Sequence, residues 1–180
     1  DTTADPCLLV NAIHFSQDKR IDMLSVNPFQ ELLSCTERLF MPGIFLSIAA
    51  GMNFNRVNDL SKPDSGANGQ FMLFRKSAYD TIGGHDAVKH AIMEDMALAD
   101  RVKKSGFRLY WIFGEKLVRT RMYNNFFHIW EGLSKNMVDI MKDSGKIAPV
   151  RRALSSILLG WMPLVLPLSA WACLDKGGTG

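Results

Sequence analysis

The feature that most constrains this chain is an uncharged run of 22 residues, 153–174, with the sequence ALSSILLGWMPLVLPLSAWACL. A helix rises about 1.5 Å per residue, so this run is long enough to cross a hydrocarbon core of about 30 Å. Basic residues favour the cytoplasmic side of a membrane, and four precede the run: Lys142, Lys146, Arg151 and Arg152. We therefore predict a transmembrane helix at about 153–174, with the preceding residues at the cytoplasmic face of the cell membrane. The alternative is a buried hairpin in a soluble protein.

Composition indicates that the rest of the chain is a folded domain. The chain has 180 residues, of which 47% are hydrophobic and 22% are charged, so it is not of the disordered class. Its net charge of +3 is too small to indicate a nucleic-acid partner. The three cysteines, Cys7, Cys35 and Cys173, are widely spaced and odd in number. They predict neither a metal motif nor a disulfide framework.

The first part of the chain alternates helical and strand patterns. Local patterns predict three elements before residue 52: a helix after Asp5-Pro6, a strand ended by Asn27-Pro28, and a long helix from Pro28 to Gly51 that Pro42-Gly43 should break or kink. The apolar segment 43–52 is too short to span a bilayer, and it fits either a buried core helix or a helix in a membrane interface. Residues 55–68 are polar and rich in turn formers, which predicts a loop.

The second part continues the alternation. The continuous apolar run from Phe71 to Phe74 is typical of a central buried strand. The segments after it predict, in order, a brief helix capped by Ser77, a helix from about Glu94 to Ser105, two strands in FRLYWIF and EKLVRTRM, and an amphipathic helix that starts near Asn124. Helices that alternate with strands indicate an α/β fold.

Two adjacent carboxylates, Glu94 and Asp95, stand where one of these helices begins. The helix macrodipole favours carboxylates at that position by about 0.3–1 kcal/mol each, which is sufficient to account for the pair. The same dipole would lower the pKa of Asp95 and keep it ionised. The alternative is that the pair belongs to an active site, since the irregular segment before it, GGHDAVKHAIM, would fold around this helix start.

Four segments occur in an order that resembles a known family: NGQFMLFRKSAYDTIGGHDAV, EDMALADRVKKSGFRL, VRTRMY and IWEGLSKN. Together they are similar to the C-terminal half of membrane-associated family-2 glycosyltransferases of the GT-A fold, near the bacterial members that glycosylate lipids, carotenoid derivatives or hopanoid precursors. The resemblance implies an α/β, partial GT-A (nucleotide-diphospho-sugar transferase) fold that lacks its N-terminal half, over residues 1–147. Residues 148–180 would then be a juxtamembrane segment and the transmembrane helix.

The resemblance also implies roles for the acidic residues. Asp95 matches the general base that takes the proton from the acceptor hydroxyl, and Glu94 would shape the site beside it. Asp1 resembles the last aspartate of the family's Asp-x-Asp element, which holds a divalent metal, Mg²⁺ or Mn²⁺, on the diphosphate of a nucleotide-sugar. We therefore expect Asp1 and Asp95 to converge on one pocket.

A basic element after the last predicted strand contacts the donor diphosphate in the family, and Arg121 and Arg119 would take that part. Where the family has a Gln-x-x-Arg-Trp type of element, this chain has RTRMY. The spacing of the two arginines on a strand predicts that both lie on one face, which a solvent-facing pair would explain equally well.

Polar residues at the entrance to the strand at Phe71 are candidates for acceptor binding: Asn68, Gly69 and Gln70. Glycine permits close backbone approach, and the amides can hydrogen-bond an acceptor or a sugar. A turn with a satisfied asparagine explains them equally well. His85 is a further candidate for acceptor binding, and its alternative is a surface histidine.

The resemblance implies an inverting glycosyltransferase of hexosyltransferase type, which transfers a sugar from a nucleotide-sugar to a lipid or other membrane-associated acceptor. The competing hypothesis is a non-catalytic membrane-anchored interaction module. Since the family recognises the nucleotide with a part that precedes these segments, we expect the 180 residues alone to be inactive.

Overall fold

The computed structural model describes residues 2–91, 93–114 and 117–132. The elements in chain order are β1 (Thr2–Ala4), α1 (Leu8–Asp18), β2 (Met23–Asn27), β3 (Phe29–Gln30), α2 (Cys35–Gly51), α3 (Phe54–Asn58), β4 (Met72–Phe74), α4 (Lys76–Thr81), a 3₁₀ turn (His85–Val88), α5 (Glu94–Lys104), β5 (Leu109–Phe113) and β6 (Val118–Thr120). Residues 126–132 are also helical. The mixed α/β architecture predicted from the sequence is confirmed.

The membrane helix predicted at 153–174 lies outside the described residues, as does Asp1. Within the part of the chain that the structure describes, no helix has the length and apolar character needed to cross a bilayer.

The strands form two small sheets. In the first, β2 lies between β4, which is antiparallel to it, and β5, which is parallel to it. In the second, β6 lies between β1, antiparallel, and β3, parallel. The first sheet and the second are joined at the carboxyl end of β2, because the chain passes through Pro28 alone between β2 and β3.

The core lies on both faces of β2. Met23 packs in a cluster with α5 and β5, and its neighbour Leu24 packs in a second cluster with α1. Successive side chains of a strand point to opposite faces, so a central strand covered on both sides needs apolar residues at successive positions. The sequence MLSVN of β2 follows this pattern at Met23, Leu24 and Val26, whereas Ser25 is polar and fully buried and Asn27 is polar at the end of the strand.

The expectation of a central strand at Phe71–Phe74 was wrong in position. β4 lies at the end of the three described strands, beside β2. Its apolar run has a different cause: Met72 and Phe74 pack against the core cluster on one face, while Phe71 and Leu73 pack against the cluster on the other. A continuous apolar run therefore indicates that both faces of the strand are covered by other parts of the core. It does not indicate that another strand pairs with it on each side.

The long helix is not broken at Pro42-Gly43, one of the two outcomes expected there, since α2 continues through both residues to Gly51. Its first turn is fixed by a capping box between Ser34 and Glu37, and Met41 is buried just before the proline. An interior proline costs a helix about 3 kcal/mol. The apolar segment 43–52 is therefore the second half of α2 and not a separate element.

The predicted polar loop at 55–68 contains a short helix, α3, in its first part. The Asn53 side chain caps α3 by accepting the N–H of Arg56, and Val57 is buried beneath it. The side chain of Asn58 accepts the N–H of Trp111 at 2.7 Å and donates to its carbonyl at 3.1 Å, as a neighbouring strand would. This pairing fixes the position of the loop that leads to residue 68.

The predicted brief helix after β4 is present as α4, but Ser77 does not cap it. α4 begins at Lys76, and Arg75 at the cap position forms no capping side-chain hydrogen bond.

Candidate active site

Asp95 holds the start of α5 in place. No side-chain bond from Met93 caps the helix. Instead, Oδ1 of Asp95 accepts the N–H of Met96 at 2.7 Å, and Oδ2 accepts the N–H of Gly69 at 2.9 Å. Leu98, one turn further along, is fully buried, so the core fixes the position of this turn. The carboxylate is half-buried and held from two sides, which is the kind of mount a general base needs.

The pKa of Asp95 lies above its ordinary value, which contradicts the expectation that the helix dipole would lower it. Burial is the main cause, because desolvation disfavours the charged form, and the nearby charge of Glu94 adds to the effect. The N–H groups of Met96 and Gly69 lower the pKa but do not outweigh burial. A raised pKa makes a carboxylate a stronger base, closer to the range that proton transfer at neutral pH favours.

The loop that carries Gly69 is held by the carboxyl half of β2. Ser25 Oγ accepts the N–H of Asn68 at 2.7 Å and donates to the Asn68 carbonyl at 3.1 Å. The Asn68 side chain donates to Oδ1 of Asn27 at 2.6 Å and accepts the N–H of Gln70 at 2.9 Å. The predicted acceptor residues Asn68, Gly69 and Gln70 thus form a rigid turn that faces Asp95, because every one of them is hydrogen-bonded to a fixed partner.

Gln70 connects this turn to the second sheet. Its side chain accepts from Gln30 Nε2 at 3.2 Å and donates to Thr120 Oγ1 at 3.4 Å. Thr120 in turn lies 3.2 Å, oxygen to oxygen, from the hydroxyl of Thr2. We call the uncharged side chains that meet here the polar cluster; they are Asn27, Gln30, Asn68, Gln70 and Thr120.

Asp1, the predicted metal ligand, is outside the described residues, but Thr2 beside it in sequence contacts the polar cluster through Thr120. In the described ranges, no three side chains of His, Cys, Asp or Glu are close enough to hold a metal ion. The site for Mg²⁺ or Mn²⁺ stays a prediction that depends on Asp1.

Arg121, a predicted ligand of the donor diphosphate, pairs with Glu37 of α2. Nε and Nη2 of Arg121 donate to Oε1 of Glu37 at 3.0 and 2.8 Å. The Glu37 side chain is 1% exposed and that of Arg121 is 33% exposed. Burial by itself would raise the pKa of Glu37. Hydrogen bonds from the backbone N–H groups of Ser34 and Leu33 and from the Arg121 side chain outweigh burial, and they lower the pKa to about 2. Glu37 is therefore a buried anion at neutral pH.

Arg119 has different surroundings from Arg121. It lies on the exposed face of β6, 3.8 Å from the carboxylate of Glu31, with its guanidinium 5.9 Å from the centre of the Phe29 ring. β6 ends at Thr120, so Arg121 follows the strand instead of continuing its alternation. The two arginines thus pair with different acids, and the structure does not bring Arg119 to the polar cluster.

The other two candidates lie at the margin of the site. Glu94 is exposed in the first turn of α5, where it acts on Asp95 through its charge. His85 hydrogen-bonds the Tyr79 hydroxyl through Nδ1 and borders an open groove of about 410 Å³ between α4 and the 3₁₀ turn. That groove is lined by Tyr79, Asp80, Gly83, Gly84, His85 and Asp86, so it lies beside α4 and includes neither Gly69 nor Asp95.

Several residues that build the site were missed in the sequence: Ser25, Asn27, Gln30, Glu37 and Thr120. Two of them had a signal. Ser25 is a polar residue inside an apolar strand, which indicates a specific partner, and the spacing of Ser34 and Glu37 fits a capping box. Nothing local to Gln30 or Thr120 points to Gln70, because that contact depends on how the two sheets meet.

Comparison with known families identifies the domain. The model described as glycosyl transferase family 21 matches residues 37–126, which is half of the chain. The matched range begins at Glu37 and contains Gly69, Asp95 and Arg121. This match confirms the prediction of a glycosyltransferase, and it names family 21 where the resemblance pointed to family 2. No curated protein matches the chain.

Proposed function

The chain belongs to glycosyl transferase family 21, and on that premise we propose that it transfers a hexose from a nucleotide-sugar to a hydroxyl of a lipid or other membrane-associated acceptor. We propose inversion at the anomeric carbon and a partial GT-A fold. Asp95 is the general base. The observation that carries this assignment is the half-buried Asp95 carboxylate with its raised pKa, fixed by Gly69 beside the polar cluster.

The proposed chemistry is a single displacement. The acceptor oxygen forms a bond to the anomeric carbon while the bond from that carbon to the diphosphate oxygen breaks, and the hydroxyl proton passes to Asp95. The nucleoside diphosphate leaves with the electron pair of the broken bond. Asp95 must be ionised to accept the proton, and the rigid mount supports this role because a base has to lie within hydrogen-bond reach of the hydroxyl.

The polar cluster supports a sugar ligand. Its amide and hydroxyl groups offer donors and acceptors without formal charge, which suits the hydroxyls of a sugar or an acceptor. Asn68, Gly69 and Gln70 would contact the acceptor next to Asp95. Arg121 would bind the donor diphosphate, since a guanidinium matches phosphate geometry. A divalent metal held by Asp1 would supply further neutralisation of the leaving diphosphate.

An exposed aromatic surface supports the membrane part of the proposal. Phe126, Phe127 and Trp130 have 42%, 79% and 66% of their surface exposed on the helical segment 126–132. Tryptophan favours the interface between lipid and water, and phenylalanine is typical of the apolar face of helices that lie in that interface. The uncharged run 153–174 follows in the sequence. We propose that this surface lies against the cytoplasmic leaflet and that the acceptor enters from the lipid there.

The test is Asp95→Asn in the full-length protein, assayed for sugar transfer from a panel of nucleotide-sugars to extracted membrane lipids. Asp100→Asn is the matched control, because Asp100 lies on the same helix and pairs only at the surface, with Lys104 at 2.7 Å. We expect Asp95→Asn to reduce kcat by at least about 100-fold and Asp100→Asn to leave it unchanged.

Asp95→Asn should also remain folded. The substitution removes a charge that burial disfavours, but it leaves one of the two backbone N–H groups without its acceptor, and these effects on the free energy of unfolding oppose each other. We expect a melting temperature within a few degrees of the wild type. Full transfer activity in a folded Asp95→Asn protein would remove Asp95 from the mechanism. Absence of transfer by the wild type would favour a non-catalytic membrane module.

A further inference from the structure

We propose that Glu37 is a positioning residue, which holds the Arg121 guanidinium in the orientation that binds the diphosphate of the donor. This inference rests on the proposed function and adds to it a residue that makes no contact with the substrate. Glu37 and Arg121 are 84 residues apart in the sequence; Glu37 lies in the first turn of α2, and Arg121 directly follows β6.

The two carboxylate oxygens of Glu37 have separate partners. Oε2 accepts the backbone N–H groups of Leu33 and Ser34, the latter at 2.9 Å, and these bonds fix the carboxylate to the turn before α2. Oε1 accepts two N–H groups of Arg121. Since the carboxylate cannot turn without losing the backbone bonds, the plane of the guanidinium is fixed as well.

Glu37 could cap helix α2 without carrying a negative charge and without its pair with Arg121. A glutamine serves in a capping box as a glutamate does, because the side chain only has to accept a backbone N–H. The negative charge is needed for Arg121. A buried ion pair is weak evidence for stability, since apolar residues of similar volume often replace such a pair without loss. The charge of a carboxylate that is 1% exposed therefore calls for another explanation.

The location of Arg121 supplies that explanation. The residue before it, Thr120, contacts Gln70 in the polar cluster, and Gln70 follows the glycine that binds Asp95. Glu37 accepts the N–H groups of Nε and Nη2 of Arg121 at 3.0 and 2.8 Å. The Arg121 side chain is 33% exposed, so part of it is accessible from solvent.

The experiment compares Glu37→Gln with Ser34→Ala. Glu37→Gln keeps a side chain that can accept a backbone N–H but removes the charge that pairs with Arg121. Ser34→Ala removes the hydroxyl that accepts the N–H of Glu37 at 3.2 Å and leaves the ion pair untouched. The full-length variants are measured for binding of a panel of nucleoside diphosphates by calorimetry, for KM and kcat with nucleotide-sugars, and for melting temperature.

We expect Glu37→Gln to weaken nucleoside-diphosphate binding and to raise the donor KM by about tenfold, with a smaller change in kcat. Ser34→Ala should lower the melting temperature and leave the donor KM unchanged. Arg121→Gln should match Glu37→Gln in KM, and the double variant should be no worse than Arg121→Gln alone, because Glu37 acts through Arg121. If Glu37→Gln does not fold, Glu37→Asp keeps the charge and should show a smaller loss in the same direction.

Unchanged donor binding in a folded Glu37→Gln protein would overturn the inference, as would additive losses in the double variant. These outcomes leave the proposed function intact, because transfer by the wild type and its loss in Asp95→Asn are measured independently. If the wild type binds nucleoside diphosphates but transfers no sugar, the proposed function fails, and the effect of Glu37→Gln on binding still decides the positioning role.

Discussion

The backbone N–H of Gly69 donates to Oδ2 of Asp95 at 2.9 Å, across 26 positions of the sequence. This bond joins the turn before β4 to the first turn of α5. The turn is held by β2 through Ser25, and α5 is held by the core through Leu98. The reactive carboxylate is thus positioned by two elements that are each fixed independently, which is how a site reaches the precision that catalysis needs.

Two glycines of this loop should respond differently to alanine. A Cβ on Gly69 would lie 3.4 Å from Oδ2 of Asp95, an ordinary contact distance, whereas a Cβ on Gly66 would lie 2.6 Å from Cε of Met52 and 2.7 Å from Cζ3 of Trp111. We expect Gly66→Ala to lower the free energy of unfolding by about 1–3 kcal/mol, because the buried Trp111 ring cannot move aside. Gly69→Ala should stay near wild-type stability and lose activity, since its methyl group covers the Asp95 carboxylate.

Chemical denaturation and a transfer assay on both variants check this pair. Equal stability of Gly66→Ala and Gly69→Ala would contradict the packing of this loop against Trp111. Full activity of Gly69→Ala would mean that the acceptor does not approach Asp95 from the side of the turn.

The pH dependence of the reaction should report the charge of Glu94. The pKa of Asp95 is raised by burial and, in addition, by Glu94, so the acidic limb of kcat/KM should lie above the ordinary aspartate value of 3.8. Glu94→Gln removes the second cause. Asp95 should then ionise at lower pH, and the acidic limb should move in that direction. Profiles of the wild type, Glu94→Gln and the control Asp100→Asn check this, and an unmoved or higher limb in Glu94→Gln counts against Asp95 as the base.

Much of the site's local structure was predictable, and its connections were not. The helix at Glu94–Lys104 and the strand at Met23–Asn27 follow from apolar periodicity, which acts over a few residues. The sign of the pKa shift at Asp95 was missed because burial depends on the loop at Gly69, which the helix sequence does not contain. The helix dipole is a property of α5 alone, whereas the pKa of Asp95 depends on both α5 and the loop that carries Gly69.

The sequence also did not predict the contacts between residues that are far apart along the chain. The capping box of Ser34 and Glu37 can be read from four consecutive residues, but the partner of Glu37, Arg121, is brought there by the pairing of β3 with β6. Arg119 lies within β6 and Arg121 lies beyond it, because the strand ends at Thr120. Alternation along a strand predicts a shared face only as far as the strand continues.

Stability toward acid should depend on Glu37. Its folded-state pKa of about 2 is below the ordinary 4.5, so the ionised carboxylate stabilises the folded state above about pH 4.5. That contribution is lost as the pH falls from 4.5 towards 2. We expect Glu37→Gln to be less stable than the wild type at neutral pH and to lose less stability over this interval. Melting temperatures at a series of pH values check this.

Glu31→Gln is the control for that series, because the Glu31 side chain is 37% exposed, against 1% for Glu37, and lies 3.8 Å from Arg119. Surface pairs of this kind contribute little to stability, so its curve should follow the wild type. Parallel curves for Glu37→Gln and the wild type between pH 4.5 and 2 would show that Glu37 is not the buried anion described above.

The aromatic surface of Phe126, Phe127 and Trp130 should lie in lipid when the full-length protein is in a membrane. Phe127 is 79% exposed, so Phe127→Cys can carry an environment-sensitive fluorophore without disturbing the core.

Cys7, Cys35 and Cys173 are first replaced by serine. In vesicles of phosphatidylcholine and phosphatidylglycerol, we expect the label at position 127 to shift its emission to the blue and to be quenched by spin-labelled lipid. The control is Lys76→Cys on α4, where the side chain is 88% exposed and should stay in water. A label at position 127 with the same emission as the control would place this surface outside the bilayer, and the acceptor would then have to reach Asp95 from the aqueous side.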